Sequence, residues 1–198
     1  MNKNKINSEG IEKETLDLVS KSPESCYIYS KNINRRLPVL EKVILTDPRW
    51  SYEYAANIIK GRWPEAEHTI SKDCYYSLKY SKDILNGRFK EAERLISQDA
   101  QNAYLYAKEI IKNRWTEAES TLAKDYYHAY KYAETILHDR FEQGEKEISK
   151  NIEFLFYYAQ NVIKGKLPEH LHNKMLSYAI EKPNDKFVLK YFSFIKQE

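Results

Sequence analysis

The sequence predicts an all-α fold, an α-solenoid of about six 26-residue helical hairpins with a capping half-repeat at each end. Three observations carry that reading. Arg36, Arg62, Arg88, Arg114 and Arg140 stand 26 residues apart, and Lys166 continues the series; a fixed internal period of this size marks repeat architectures. Around each of them apolar residues recur at the i, i+3, i+4, i+7 spacing of a helix with one buried face. Each stripe is short and ends at a turn-forming residue, so a unit holds two helices, A and B, that are too short to persist alone and must be buried against their neighbours.

Residues 1–10 are expected to form a flexible N-terminus and residues 11–198 a single helical-repeat domain. Ile11 to Lys21 reads as a lone helix B leading into Ser22-Pro23, as later helices B lead into Asp47-Pro48. Each full helix A then opens behind Asp47, Asp73, Asp99, Asp125 or Asn151. These residue types cap a first turn by accepting one of its free N–H groups, an interaction worth ~1 kcal/mol. In the unit from Asp99 the helix A stripe is Tyr104, Ala107 and Ile111, with Tyr106 and Ile110 beside it. Its end is assigned to the left-handed conformation at Gly61, Gly87, Asn113, Asp139 and Gly165, which are residue types that tolerate it. Pro38, Pro64 and Pro168 can open helix B, where a missing N–H costs nothing. Helix B sets an aromatic slot, Trp63, Phe89, Trp115 and Phe141, with Leu37 and Leu167 at the ends. One turn later stands a small slot, Ala66, Ala92, Ala118 and Gly144, and large against small is what close packing needs. The period breaks after Lys166: Glu169 to Glu181 is a longer helix, and Lys182-Pro183-Asn184 turns into a last one carrying Phe187, Leu189, Tyr191, Phe192 and Ile195.

Composition narrows the function classes. No apolar run approaches the ~20 residues of a membrane span, and no apolar core follows the polar start, so no membrane partner and a cytoplasmic location are expected. Cys26 and Cys74 fall at non-equivalent repeat positions without a CxxC pattern, which argues against a disulfide framework or zinc site. His68, His128, His138, His170 and His172 are scattered, and the closest pair, His170 and His172, would not face one another on a helix. No HExxH, GxSxG, GxGxxG or Walker pattern occurs. The expectation is therefore a protein that is not an enzyme, with no catalytic residues, metal or cofactor.

The repeated polar residues are assigned to architecture. Glu41, Glu67, Glu93, Glu119 and Glu145 recur in phase with the arginines, so an ion-pair ladder is favoured over an arginine track for phosphates or carboxylates. Tyr29, Tyr54, Tyr80, Tyr106, Tyr132 and Tyr158 are assigned to the core, each hydroxyl reaching a partner at its rim. Function is sought where units differ, on the outward face of helix A. There Tyr75, Lys79, Lys82, Leu105, Lys108, Lys112, Tyr127 and Lys131 are the candidate partner-binding residues, suited to an acidic partner; the competing reading is an ordinary solvated face.

Tyr54 to Glu67 reads Tyr-Ala-x-x-Ile-Ile-x-Gly-Arg-Trp-Pro-Glu-Ala-Glu, and Tyr106 to Glu119 nearly repeats it. These units resemble the tandem repeats of uncharacterised proteins encoded by bacteriophages and related mobile elements. The resemblance runs from Ser22 to Lys166, departing at Arg35-Arg36-Leu37-Pro38, where the first unit is a residue shorter, and at Phe141-Glu142-Gln143-Gly144-Glu145. It implies a viral source and an accessory role, with no catalytic residues to carry over. The leading expectation is a non-enzymatic scaffold that binds a host or defence protein in the cytoplasm of the host cell. The second is nucleic-acid binding, with Lys79, Lys82, Lys108, Lys112 and Lys131 as the track and Tyr75 or Tyr127 stacking on a base. A net charge of +3 gives that reading little long-range attraction. A small-molecule or nucleotide sponge is the third, and no motif distinguishes it. Oligomeric state is left open.

Overall fold

The computed structural model describes residues 10–196. The flexible segment expected over residues 1–10 lies, Gly10 apart, outside the described residues. Among them the regular structure is helical, without a β-strand. The chain forms two compact units, one ending at Leu95 and one beginning at Ile96.

The first unit opens with α1 (Lys13–Val19), the expected lone helix B. Helices A and B then alternate: α2 (Pro23–Asn32), α3 (Pro38–Ile44), α4 (Pro48–Tyr54), α5 (Pro64–Ile70), α6 (Cys74–Tyr80) and α7 (Lys90–Ile96). Helices A pack on one another, α2 on α4 and α4 on α6, while α3 and α5 each pack on the helix A before them. Leu37, Leu40, Ile44, Tyr54, Trp63, Ala66 and Ile70 are sealed between them. The second unit repeats the pattern with α8 (Ala100–Tyr106), α9 (Thr116–Leu122), α10 (Tyr126–Tyr132), α11 (Glu142–Ile148) and α12 (Ile152–Tyr157), then closes with α13 (Glu169–Glu181) and α14 (Lys186–Phe194). There α8, α10, α12 and α14 pack in succession over a core that includes Trp115, Ala118, Leu122, Tyr132, Phe141, Tyr158 and Met175. The aromatic and small slots are buried throughout, as expected. At Gly144 a Cβ would stand 2.7 Å from both Ala129 Cβ and Phe141 Cδ1, so this copy of the small slot accepts only hydrogen.

The caps are those the sequence names. Asp47, Asp73, Asp99 and Asp125 each accept the N–H three residues on, at 2.8–3.0 Å, and Asn151 and Ser22 cap α12 and α2. Pro38 and Pro64 occupy the first helical turn, whereas Pro168 stands one residue outside, at the N-cap of α13.

The end of helix A departs from the expectation. α4, α6, α8, α10 and α12 each run on into a π-helix, at Ala55–Ile59, Ser81–Leu85, Ala107–Ile111, Ala133–Leu137 and Tyr158–Ile163. A π turn is an α turn holding one extra residue. The exception fits: 25 residues separate the caps Ser22 and Asp47, where later caps are 26 apart, and α2 is a plain α-helix. It closes with Arg35 N–H on the Ser30 carbonyl, 3.0 Å, the bond of a Schellman motif. In the longer units the same closure is one residue wider, Gly61 N–H reaching Ala55 O at 3.2 Å and Gly165 N–H reaching Ala159 O at 3.2 Å.

That closure moves the left-handed residue. It is Lys60, Asn86, Lys112, His138 or Lys164, with φ between 47° and 59°, one position before the glycine, asparagine or aspartate expected to hold it; in the first unit it is Asn34, at 48°, followed by Arg35. The reversal must precede the residue that donates back into the helix. Asn113 and Asp139 serve differently, each accepting the next arginine's N–H at 2.7 Å. Tyr29 also departs: it is half-buried and not core, because only α1 precedes it.

Candidate interaction surface on helix A

The in-phase polar residues form one repeated structural joint. Arg62 donates Nε–H to Glu67 Oε1 at 2.6 Å and Nη2–H to Oε2 at 3.0 Å, and Arg36–Glu41, Arg88–Glu93, Arg114–Glu119 and Arg140–Glu145 repeat this fork. These hydrogen bonds hold the guanidinium pKa of Arg36, Arg62, Arg114 and Arg140 above its ordinary value. The next helix A completes the joint. The Tyr80 hydroxyl accepts the Trp63 N–H at 2.8 Å and donates to Glu67 at 3.2 Å, while Tyr54, Tyr132 and Tyr158 do the same for Leu37, Trp115 and Phe141. Burial pushes the phenols of Tyr54, Tyr80 and Tyr132 up to about 12. Tyr191 plays the part at the C-terminal end, accepting Leu167 N–H at 3.2 Å with His172 Nδ1 at 2.7 Å in place of the glutamate.

A second aromatic row was not singled out as a set in the sequence, although it keeps the same spacing: Tyr27, Tyr52, Leu78, Tyr104, Tyr130 and Phe156. The hydroxyls of its four tyrosines each tie their helix A to the one that follows. Tyr27 pairs with Asn57 at 3.1 Å, Tyr52 donates to Asp83 at 2.6 Å, Tyr104 bonds Thr135 at 3.2 Å, and Tyr130 accepts from Asn161 at 2.7 Å. Leu78 has no hydroxyl to offer. Cations lie over these rings, Lys31 on Tyr27 at 5.3 Å, Lys79 on Tyr52 at 5.0 Å, Lys108 on Tyr104 at 5.6 Å and Lys131 on Tyr130 at 5.2 Å.

The candidate binding residues therefore divide into two groups. In the first unit, Tyr75 is 60% exposed and sits edge-on to Tyr76, Lys79 reaches over both Tyr75 and Tyr52, and Lys82 is exposed one turn on. In the second, Lys108 and Lys112 are exposed and Leu105 is half-buried. Tyr127 meets Phe154 and His128 edge-on, leaving 43% of its surface exposed. Lys131 is the least available, since its Nζ lies 2.7 Å from Glu134. Burial pushes the Glu134 carboxyl up, but hydrogen bonds from Lys131 and Tyr130 win and hold it below its ordinary value. Lys112 is also a backbone feature, being a left-handed residue.

Shallow grooves flank these rows. One of about 370 Å³ lies beside the turn of α6 and α7, lined by Arg62, Glu67, Leu85, Gly87, Arg88 and Phe89 among others. A second of about 370 Å³ lies between α12 and α14. His170 and His172 do not converge: the first pairs with Glu145 at 2.9 Å and the second with Tyr191. Among the described residues no group of three or more His, Cys, Asp or Glu is placed to hold a metal ion, and no helix is long and apolar enough to cross a membrane. Neither cysteine is in a disulfide; Cys26 is buried, donates to Val19 O at 3.2 Å, and has its thiol pushed up to about 11 by burial. Compared with known proteins, the chain matches no family model, no curated protein and no solved structure.

Proposed function

We propose that the chain is a non-catalytic scaffold whose repeats stack as a solenoid and whose work is to bind another protein through the helix A face. One observation carries this: the residues shared by all units are consumed by the Arg–Glu–Tyr joint, while the positions that vary present Tyr75, Tyr127 and Lys108 to solvent. Exposed tyrosine beside lysine, on helices fixed by their neighbours, is a rigid contact surface that loses little conformational entropy on binding. The resemblance to bacteriophage repeats makes the partner a host or defence protein.

Nucleic acid is the rival occupant, and two features weigh against it. The ring row is tied by its hydroxyls and covered by lysine stems rather than offered flat for stacking, and Glu134 neutralises Lys131. Capture from nuclease-treated bacterial lysate tests the reading. The wild-type protein is expected to retain one defined protein, and K79E/K108E/K131E combined with Tyr75→Ala and Tyr127→Ala to lose it. Tight, salt-sensitive retention of DNA or RNA that the lysine reversals abolish would overturn it.

A further inference from the structure

Repeat proteins keep the outer face of their terminal repeats polar to stay in solution. The terminal helices of this chain instead expose apolar side chains at positions that inner units cover. In α14, Leu189 continues the row Tyr52, Leu78, Tyr104, Tyr130 and Phe156, each two residues before a tyrosine. Tyr52, Tyr104, Tyr130 and Phe156 lie under the helix A that follows and are at most 8% exposed, whereas Leu189 is 55% exposed. In α13, Leu176 and Ile180, an i, i+4 pair on one side of the helix, are 41% and 83% exposed. Tyr178 projects from the opposite side and donates to the carbonyls of Ser149 and Lys150 at the end of α11, so the exposed pair faces forward. In α1, Leu18 is 62% exposed.

Positions like that of Leu18 are covered elsewhere. Its counterparts Val43, Thr69, Leu95, Thr121 and Glu147 are half-buried. Thr69 shows the cover, donating its hydroxyl to Leu45 O at 2.7 Å, just past the end of the preceding helix B. Leu45 follows the sealed Ile44 as Leu176 follows the sealed Met175. Helices α2, α4, α8, α10 and α12 each pack on the helix B after them; among the described residues α14 has none after it, and α1 has no helix A before it. The two terminal helices are thus the halves of one hairpin. An α1 from another copy, set after α14, would bring Leu18 to Leu176 as Thr69 comes to Leu45, and the α2 behind it would cover Leu189. At that spot α2 presents Ser25 and Asn32, where α4 presents Trp50 and Asn57 to Tyr27, so the contact lacks the ring pair of an inner one and is weaker.

We infer that the chain assembles head to tail with copies of itself, α1 and α2 of one copy continuing the stack of α12 and α14 in another and closing Leu18, Leu176 and Leu189 between them. A second copy suits this face because it brings both missing helices in the spacing of the repeat. Each addition uses a different face on the two partners and leaves a free head and a free tail. This rests on helix packing within each unit and is independent of the protein-binding reading above.

Sedimentation equilibrium of the full chain, from about 1 to about 500 µM, tests it. The weight-average mass is expected to rise with concentration to about twice that of the single chain or more. Leu18→Glu blocks the head and Leu189→Glu the tail; both positions are exposed, and retained thermal midpoints confirm the fold. Each variant alone is expected to stay monomeric. Their equimolar mixture is expected to form dimers and nothing larger, through the intact tail of the first and the intact head of the second. Leu176→Glu, a second tail block, should pair with Leu18→Glu in the same way. A wild type that stays monomeric throughout, a variant that still assembles alone, or a mixture that stays monomeric would overturn the inference. So would a wild-type dimer lost in only one of the two variants, the mark of a symmetric contact through a single end.

Discussion

Lys112 holds its backbone at φ 55°, a conformation that crowds a Cβ at a cost of roughly 1–2 kcal/mol. Glycine escapes that cost and gives back about half of it through a more flexible unfolded chain. Lys112→Gly is therefore expected to raise the urea midpoint by the equivalent of about 0.5–1 kcal/mol, whereas Gly61, which has open space where its Cβ would lie, gains nothing from its lack of a side chain at this turn. A lower midpoint for Lys112→Gly would show that the lysine stem holds the turn. The sequence points to this turn yet misplaces its reversal by one residue. Glycine is the usual left-handed residue, and only the reach of the Gly61 N–H back to Ala55 shows that the preceding lysine must turn. The slot residues are easier to read, since size alone matches Trp115 to Ala118. Trp115→Ala is expected to cost ~3–5 kcal/mol by urea unfolding. Trp115→Phe should cost less than about 1.5 kcal/mol. Its buried Nε1 has no hydrogen-bond partner, and Phe89 and Phe141 already fill the same slot.

The π segment is the feature of the element that periodicity could not show, because a strict 26-residue period is silent on how those residues are wound. The clue was the shorter first unit. Since α2 closes on the same left-handed residue with one residue fewer, the π turn is a tolerated insertion and the α turn its shorter equivalent. Deleting the exposed Lys108, within the Ala107–Ile111 segment, is expected to lower the thermal midpoint less than deleting the exposed Ser120 from α9. The first loss is absorbed by winding the segment as α, while the second rotates Leu122 off its buried face. Equal losses would mean that the wide turn is required.

Over the whole molecule the Arg–Glu–Tyr joint couples stability to alkaline pH. The phenols of Tyr54, Tyr80 and Tyr132 lie at about 12, above their unfolded value of about 10, because burial disfavours the charged form. The stability they contribute is complete below about pH 10 and is lost as pH rises through 12. Urea midpoints should fall across that window, with the tyrosinate absorbance of the buried phenols, over and above that of exposed tyrosines such as Tyr75 and Tyr127, appearing as helicity is lost; a flat profile would contradict it. Tyr132→Phe should flatten part of the slope while costing ~1–3 kcal/mol at neutral pH, since the buried Trp115 N–H then lacks its acceptor. The joint's members were legible as residues in phase, but not its geometry: the tyrosine serves the preceding unit, a relation that spacing leaves open. The candidate face was legible as a set of variable positions, while its groove was not, because α14 lies beyond the regular period. The turns themselves carry a last consequence. Lys60 and Arg62, Arg88, Lys112 and Arg114, Arg140, and Lys164 and Lys166 are all exposed where helix A gives way to helix B. To trypsin the folded chain is thus a ruler: brief digestion should cut at these bends and leave a ladder of fragments graduated in whole repeats.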